Sequence, residues 1–239
     1  MERTPDRQRI IVIRDHESSE ATKSRLIELG FDPISIPLVS YKLTCSHLKL
    51  SEVLTAAKPQ LILLASQRAC GYFYSLYQKV EQDPEIKFLV VGERAEKFLK
   101  DRGLKVSNRF QDFLDLQNSK IILDQKILYP CSREKSSTEL ELLKAKGFKI
   151  MELELYDVDF LEKQMQLQTT LEASPRLPIL VYSSSQARAL SSYPAFEAQI
   201  FCLGRRTHQS LKSLGFKNIM MSQKADEASL LELLSSSYS

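Results

Sequence analysis

The chain has 239 residues, of which 43% are hydrophobic, so it is long enough for two domains that each bury a core. Its formal net charge of +3 is too small to indicate a nucleic-acid-binding protein. No apolar stretch reaches the length of a membrane span, and the charged N-terminal sequence MERTPDRQR lacks the apolar run of a signal peptide. We therefore expect a cytoplasmic protein whose four cysteines are reduced thiols.

Four of the seven glycines share one local pattern. Each has a leucine four positions before it and a large apolar residue directly after it. This pattern predicts a helix that ends with the glycine in the left-handed conformation and with an apolar contact across the helix end. The four glycines are Gly30, Gly103, Gly147 and Gly215. Because each predicted helix end precedes a predicted strand, the chain is expected to be an α/β protein with parallel sheets.

Ten strands are predicted along the chain. In chain order, they lie near residues 10–13, 34–36, 60–64, 87–91, 104–106, 126–129, 148–153, 179–182, 199–203 and 218–221. The segments VVGERAEKFLKDRGLKV and CLGRRTHQSLKSLGFKN repeat each other, because the first runs from Gly92 to Gly103 and the second from Gly204 to Gly215 with the same spacing. The repeat indicates two copies of a five-strand unit, one of which is split in the sequence.

The split predicts two similar domains, each a parallel five-stranded sheet flanked by helices, with one inserted into the other through a two-stranded hinge. Residues 1–36 and 158–239 would form the first domain, and residues 42–152 the inserted one. Residues 37–41 and 153–157 would form the hinge, because they are extended segments with alternating apolar residues. Two such domains enclose a cleft, and α/β proteins bind ligands at the carboxyl ends of their parallel strands.

The sequence offers few groups for catalysis. Its three histidines have no metal-ligand spacing, no Walker loop or GxGxxG opens the first helix, and no GxSxG segment is present. We therefore expect neither a metal nor a nucleotide cofactor. Loops rich in serine, threonine and arginine run from strand ends into helix N-termini, and such places bind anions.

Seven segments along the chain form a recognisable set: IIVIRD, LILLASQRA, VVGERA, ILYPCSREK, the strand that ends in LYD, VYSSSQA and CLGRRTHQSLKSLG. In this order, and over nearly the entire chain, they resemble the uroporphyrinogen-III synthases of tetrapyrrole biosynthesis. The resemblance implies a cofactor-independent hydro-lyase that takes the linear tetrapyrrole hydroxymethylbilane, removes its terminal hydroxyl as water and closes the macrocycle with the last ring inverted. The expected partner is this polycarboxylate substrate alone, with no nucleic acid and no membrane. We also expect a monomer, with a transient contact to the upstream deaminase left open.

The resemblance also assigns site residues. Tyr156 matches the family tyrosine proposed to assist loss of the hydroxyl, and Thr207 matches the threonine that follows the loop at Gly204. The other expected substrate-binding residues lie at strand ends: Arg14, Ser66, Arg68, Gly92, Ser132, Ser183, Ser184 and Gly204. The chain departs from the family pattern at Ser132, where glycine is usual, and at Ala95, where a threonine is common.

Each of these residues also has a structural explanation. Tyr156 could pack the hinge, the serines and Thr207 could cap helices, and the arginines could be solvated surface residues. Two other function classes also stay open. One is a two-lobed binding protein or sensor for a small anionic ligand. The other is a sugar-nucleotide transferase with twin α/β domains, although that class usually needs a longer chain and a glycine-rich diphosphate loop.

Overall fold

The computed structural model describes residues 7–119, 124–134 and 137–238. The strands in these ranges are β1 (Arg9–Ile13), β2 (Asp32–Ser35), β3 (Val39–Leu43), β4 (Leu61–Leu64), β5 (Lys87–Val91), β6 (Val106–Phe110), β7 (Lys126–Ser132), β8 (Lys149–Phe160), β9 (Ile179–Val181), β10 (Ile200–Cys202) and β11 (Ile219–Met221). The helices are α1 (His16–Glu28), α2 (His47–Ala57), α3 (Gln67–Tyr77), α4 (Glu93–Lys100), α5 (Phe113–Asn118), α6 (Ser137–Ala145), α7 (Met165–Ala173), α8 (Ser184–Leu190), α9 (Gly204–Ser213) and α10 (Glu227–Tyr238). No helix in the described ranges is long and apolar enough to cross a membrane.

The four predicted helix ends have the expected geometry. Their glycines, Gly30, Gly103, Gly147 and Gly215, have φ values of 85°, 77°, 92° and 92°, in the left-handed region that favours glycine. In each, the N–H of the apolar residue after glycine donates to the carbonyl of the leucine, as Phe31 does to Leu26 at 3.0 Å. Each of these leucines is fully buried, so the sequence pattern that ends the helix also anchors it in the core.

The chain divides into two compact units. Unit 1 comprises Met1–Ser40 and Asp159–Ser239, and unit 2 comprises Tyr41–Val158. The sheet of unit 1 has five parallel strands in the order β11-β10-β9-β1-β2. Apolar residues of β1, β9 and β10 pack there against α1 and α10 in one core. The predicted α/β class and the parallel five-stranded sheet of unit 1 are confirmed.

The second sheet differs from the prediction of five parallel strands. It has six strands in the described residues, in the order β3-β8-β7-β4-β5-β6. Hydrogen bonds from Thr44 N to Leu155 O (2.8 Å) and from Leu161 N to Leu38 O (3.0 Å) show that β3 is antiparallel to β8, so the sheet is mixed. The two predicted hinge segments therefore pair with each other, and they do so as part of this sheet. Their alternating pattern was identified correctly, but the predicted strand 148–153 stopped too early because β8 continues to Phe160.

Candidate functional site

The predicted site residues fall into two groups, one in each unit, and each group lies at the carboxyl ends of parallel strands. In unit 2, Ser66 follows β4, Gly92 follows β5, Ser132 ends β7 and Tyr156 lies in β8. In unit 1, Arg14 follows β1, Ser183 and Ser184 follow β9, and Gly204 and Thr207 follow β10. Parallel strands bring their carboxyl ends to one edge, so residues far apart in the sequence become neighbours.

Tyr156 is the buried centre of the unit 2 group. Its side chain is only 7% exposed, and the residue lies opposite Ser132 in the register between β7 and β8. Burial raises the pKa of Tyr156, whereas hydrogen bonds with Ser66 and Ser132 and the positive charge of Arg68 lower it in part. Because the net shift is upward from 10.0, the phenol is protonated at neutral pH and can donate a proton or a hydrogen bond.

Two further tyrosines pack around Tyr156. The ring centroid of Tyr72 lies 5.3 Å from that of Tyr156, and the centroid of Tyr41 lies 6.3 Å from it. The guanidinium carbon of Arg68 lies 3.5 Å from the centroid of the Tyr41 ring. We call these residues, together with Ser66 and Ser132, the Tyr156 cluster.

The sequence analysis missed Tyr41 and Tyr72. Tyr41 was assigned to the hinge, and Tyr72 lies in a helix for which no motif was found. Only the pairing of β3 with β8 and the packing of α3 bring these rings to Tyr156. An aromatic residue in a predicted hinge was the one available signal.

The serines at two strand ends cap helices. Ser66 Oγ accepts a hydrogen bond from the backbone N–H of Ala69 at 3.0 Å, and Ser183 Oγ accepts one from Gln186 N at 3.3 Å. The structural explanation is therefore correct for both residues. A capping serine at a strand end also keeps the first helical turn in place, where its N–H groups attract anions, so capping and ligand binding are compatible.

The glycines of the two repeated loops both have a positive φ. Gly92 precedes α4 with φ 89°, and Gly204 begins α9 with φ 79°. The N-cap residue of α4 is Gly92 and that of α9 is Leu203, and neither makes a side-chain capping hydrogen bond to the first turn of its helix. Helix N-termini attract anions, so substrate binding at both loops stays a prediction.

Ser184 and Thr207 lie in the first turns of two neighbouring helices at this edge of unit 1. Ser184 Oγ donates to the carbonyl of Arg206 at 3.4 Å, which links α8 to α9. Thr207 is buried in the first turn of α9, with 4% of its surface exposed. Their roles as substrate contacts stay predictions.

Arg14 has internal partners. It forms an ion pair with Glu227, donates to Thr22 Oγ1 at 2.8 Å, and has its guanidinium carbon 4.5 Å from the centroid of the Tyr182 ring. Glu227 also accepts from Arg25 at 2.9 Å, so one carboxylate holds two arginines. The sequence analysis missed Glu227 because it lies 213 positions from Arg14. Substrate binding by Arg14 stays a prediction, since its charge is already shared with this carboxylate.

The loop after β7 is fastened to β8. Arg133 N donates to Tyr156 O at 3.0 Å, and the Arg133 guanidinium lies 3.3 Å from carboxylate oxygens of both Glu154 and Asp157. These contacts fix the backbone on each side of Tyr156. Within the described ranges, no group of three or more His, Cys, Asp or Glu residues could hold a metal ion.

Known proteins with similar structures are uroporphyrinogen-III synthases. The crystal structure of a mutant uroporphyrinogen III synthase from the extremely thermophilic bacterium Thermus thermophilus matches with a TM-score of 0.71 and 16% identity, over 97% of this chain and 98% of that chain. Uroporphyrinogen-III synthetase from Helicobacter pylori matches with a TM-score of 0.60 and 16% identity, over 96% of this chain and 99% of that one. Because the sequence identity is only 16%, the structural similarity establishes the fold of this chain and nothing beyond it.

The family itself is shown by sequence. Among curated protein sequences, none matches this chain significantly. The family model described as Uroporphyrinogen-III synthase HemD, however, matches residues 20–232, which is most of the chain and includes every predicted site residue except Arg14. The chain therefore belongs to the uroporphyrinogen-III synthase family.

Proposed function

We propose that this protein converts hydroxymethylbilane to uroporphyrinogen III, with loss of water and inversion of the last pyrrole ring. Family membership supports this activity. The structural observation that carries it is the Tyr156 cluster, in which a buried and protonated phenol of β8 lies near two hydroxyls and one guanidinium, opposite the carboxyl end of β7.

The proposed chemistry needs a weak acid and anchors for carboxylates. Loss of the terminal hydroxyl as water is assisted by a proton, or by a hydrogen bond, from Tyr156. The resulting cation is an azafulvene, stabilised by the substrate's own pyrroles. The enzyme then has to fold the chain so that its two ends meet, with closure passing through a spiro intermediate. The cation releases one proton as the pyrroles regain aromaticity, and this proton balances the one that the departing hydroxyl took up.

The carboxylates of the substrate suit the remaining residues. Arg68 can hold one as a charge-assisted pair. We propose that the N-termini of α4 and α9, which follow the loops at Gly92 and Gly204, attract other carboxylates through the helix backbone, which needs no particular side chain. This explains why the family motifs are weak in sequence, because backbone donors leave side-chain identity free to change.

A coupled assay with the upstream deaminase tests whether the protein is an enzyme. The deaminase releases hydroxymethylbilane, which closes slowly without help, so the protein should increase the rate of macrocycle formation in proportion to its concentration. The competing hypothesis, a two-lobed binding protein or sensor for a small anion, predicts no increase or a decrease in this rate. Heat-unfolded protein is the control for unspecific effects.

The cellular setting follows from the same proposal. We propose a monomer that works in the cytoplasm without metal or cofactor. The four cysteines are free and buried, which fits a reducing compartment. Light scattering should give the mass of one chain, and the activity should persist in the presence of a chelator. Coelution with the deaminase during size-exclusion chromatography tests the transient contact.

A further inference from the structure

Arg68 and Tyr72 share one face of α3, because they lie four positions apart on the helix. That face is turned toward Tyr41 of β3 and Tyr156 of β8. The Arg68 guanidinium lies over the Tyr41 ring at 3.5 Å, and the Tyr72 ring packs on Tyr156 at 5.3 Å. Arg68 therefore has the Tyr41 ring as its aromatic neighbour, whereas Tyr156 has the Tyr72 ring at 5.3 Å and the Tyr41 ring farther away at 6.3 Å.

The ring of Tyr41 restricts the arginine. A long arginine side chain has several rotatable bonds, and its stacking on an aromatic face selects one direction among many. Arg68 and Tyr41 are both partly exposed. A cation–π contact that is not fully desolvated corresponds to about 2- to 5-fold in an equilibrium constant. A guanidinium fixed in this way loses less freedom when it binds a carboxylate, so the substrate is held more tightly.

Tyr72 restricts the phenol. Its ring packs on Tyr156, and its hydroxyl donates to the carbonyl oxygen of Tyr41 at 3.3 Å. This hydrogen bond ties α3 to β3, next to the strand that carries Tyr156. α3 therefore restrains Tyr156 through the Tyr72 ring, which packs on it, and through the hydrogen bond that joins α3 to the neighbouring strand β3.

We propose that Tyr41 and Tyr72 are positioning residues, Tyr41 setting substrate affinity through Arg68 and Tyr72 setting proton donation through Tyr156. The proposal rests on the proposed function, because it takes Arg68 to bind the substrate and Tyr156 to donate the proton. It predicts a division between the two kinetic constants. Loss of the Tyr41 ring should change KM, and loss of the Tyr72 ring should change kcat.

The test for Tyr41 measures kcat and KM with hydroxymethylbilane. Tyr41→Leu should raise KM about 2- to 5-fold and change kcat by a smaller factor, whereas Tyr41→Phe keeps the ring and should stay near wild type. In an Arg68→Gln background, Tyr41→Leu should raise KM no further, because its effect passes through Arg68. Tyr41→Met replaces Tyr41→Leu if that variant does not fold, with the same expectation.

The test for Tyr72 uses the same assay. Tyr72→Leu should lower kcat several-fold and leave KM unchanged, and Tyr72→Phe, which loses only the hydrogen bond to the Tyr41 carbonyl, should lower kcat less. In a Tyr156→Phe background, Tyr72→Leu should have no further effect on kcat.

The proposal would be overturned if Tyr41→Leu raised KM by the same factor with and without Arg68. It would also be overturned if Tyr72→Leu lowered kcat by the same factor with and without the Tyr156 hydroxyl. A change in kcat from Tyr41→Leu that exceeds its change in KM would overturn it as well. Each of these results would leave the proposed function intact. A wild-type protein that forms no macrocycle above the spontaneous rate would instead overturn the proposed function, and this inference with it. The two failures are distinguishable, because the rate of macrocycle formation with the wild-type protein alone tests the proposed function, whereas the variants test the roles of Tyr41 and Tyr72.

Discussion

Tyr156 illustrates how opposing effects set the chemistry of one side chain. Burial acts against the charged phenolate, while hydrogen bonds with Ser66 and Ser132 and the charge of Arg68 act in its favour. Burial is the largest of these effects, so the pKa rises. Tyr156 is therefore a protonated phenol at neutral pH. In this form it can assist the loss of a hydroxyl as an acid or hydrogen-bond donor, and it regains a proton before the next turnover.

The Tyr156→Phe variant should lower kcat by about tenfold and still yield the type III isomer. A well-placed general acid typically contributes about 10² to 10⁴ in rate, but this substrate loses its hydroxyl spontaneously, so the phenol contributes less than that range. Chromatography of the product, with kcat measured in parallel, checks both parts. If activity vanished while fold and substrate binding persisted, Tyr156 would be an obligatory proton donor.

The sequence could identify some members of this cluster and not others. Tyr156 was identified because it matches a family tyrosine, and Ser66 because it stands between a strand and a helix. Tyr41 and Glu227 were not, since their importance depends on contacts with residues distant in the sequence. For Arg14, the position at a strand end was evident from the sequence, but the partner with which it forms an ion pair, Glu227, was not.

At the level of elements, the helix-ending glycines give a direct test of backbone strain. Gly103 and Gly71 both have open space where a Cβ would lie, but only Gly103 has a positive φ, of 77°. Gly103→Ala should therefore lower the free energy of unfolding by about 1 kcal/mol or somewhat more. Gly71→Ala, within α3, should raise it by about 0.5 to 1 kcal/mol, since it removes freedom from the unfolded chain.

Urea unfolding of both variants measures these changes. Both glycines lie in unit 2, so the same core reports on each substitution. A loss of stability of equal size in both variants would show that packing, and not the sign of φ, decides the outcome.

The positions of strands could be predicted from the sequence where the residues of the strand itself define it. The short buried strands, such as β4 with four fully apolar residues, were located to within a residue or two. The extent of β8 was not, because nothing local distinguishes a hinge strand from a strand that joins a sheet. Whether an extended segment finds a partner depends on the distant segment β3, which supplies its hydrogen bonds.

At the level of the whole molecule, buried thiols should make stability depend on pH. Burial raises the pKa of Cys70 and of Cys202 from 9.0 to about 12. The unfolded chain loses these thiol protons at lower pH than the folded protein does. The contribution of the two thiols to the free energy of unfolding is therefore fully present below pH 9 and declines as the pH rises toward 12. For Cys70 this amounts to about 1 kcal/mol between pH 8 and pH 10.

Urea unfolding at pH 8 and pH 10 measures this decline. A double variant with Cys70→Val and Cys202→Val should lose less stability over the same interval, because these two thiols no longer titrate there. Parallel slopes for the wild type and the double variant would contradict the assignment to these thiols.

The division into units predicts how fragments behave. We propose that residues 41–158 fold alone with one cooperative transition, since they contain unit 2 and its core. A fragment of residues 42–152 should be less stable, because it omits the fully buried Leu155 and the rest of β8. Circular dichroism during thermal unfolding compares them, and an unfolded 41–158 fragment would contradict the proposal.

The identity of the product tests the central claim most directly. Freshly made hydroxymethylbilane closes spontaneously to the unrearranged isomer, so an increase in rate alone does not show that the last ring has been inverted. With the purified protein, a chelator and no nucleotide, chromatography should show the type III isomer as the main product. A product mixture identical to that of spontaneous closure would contradict the account and leave an anion-binding protein as the better explanation.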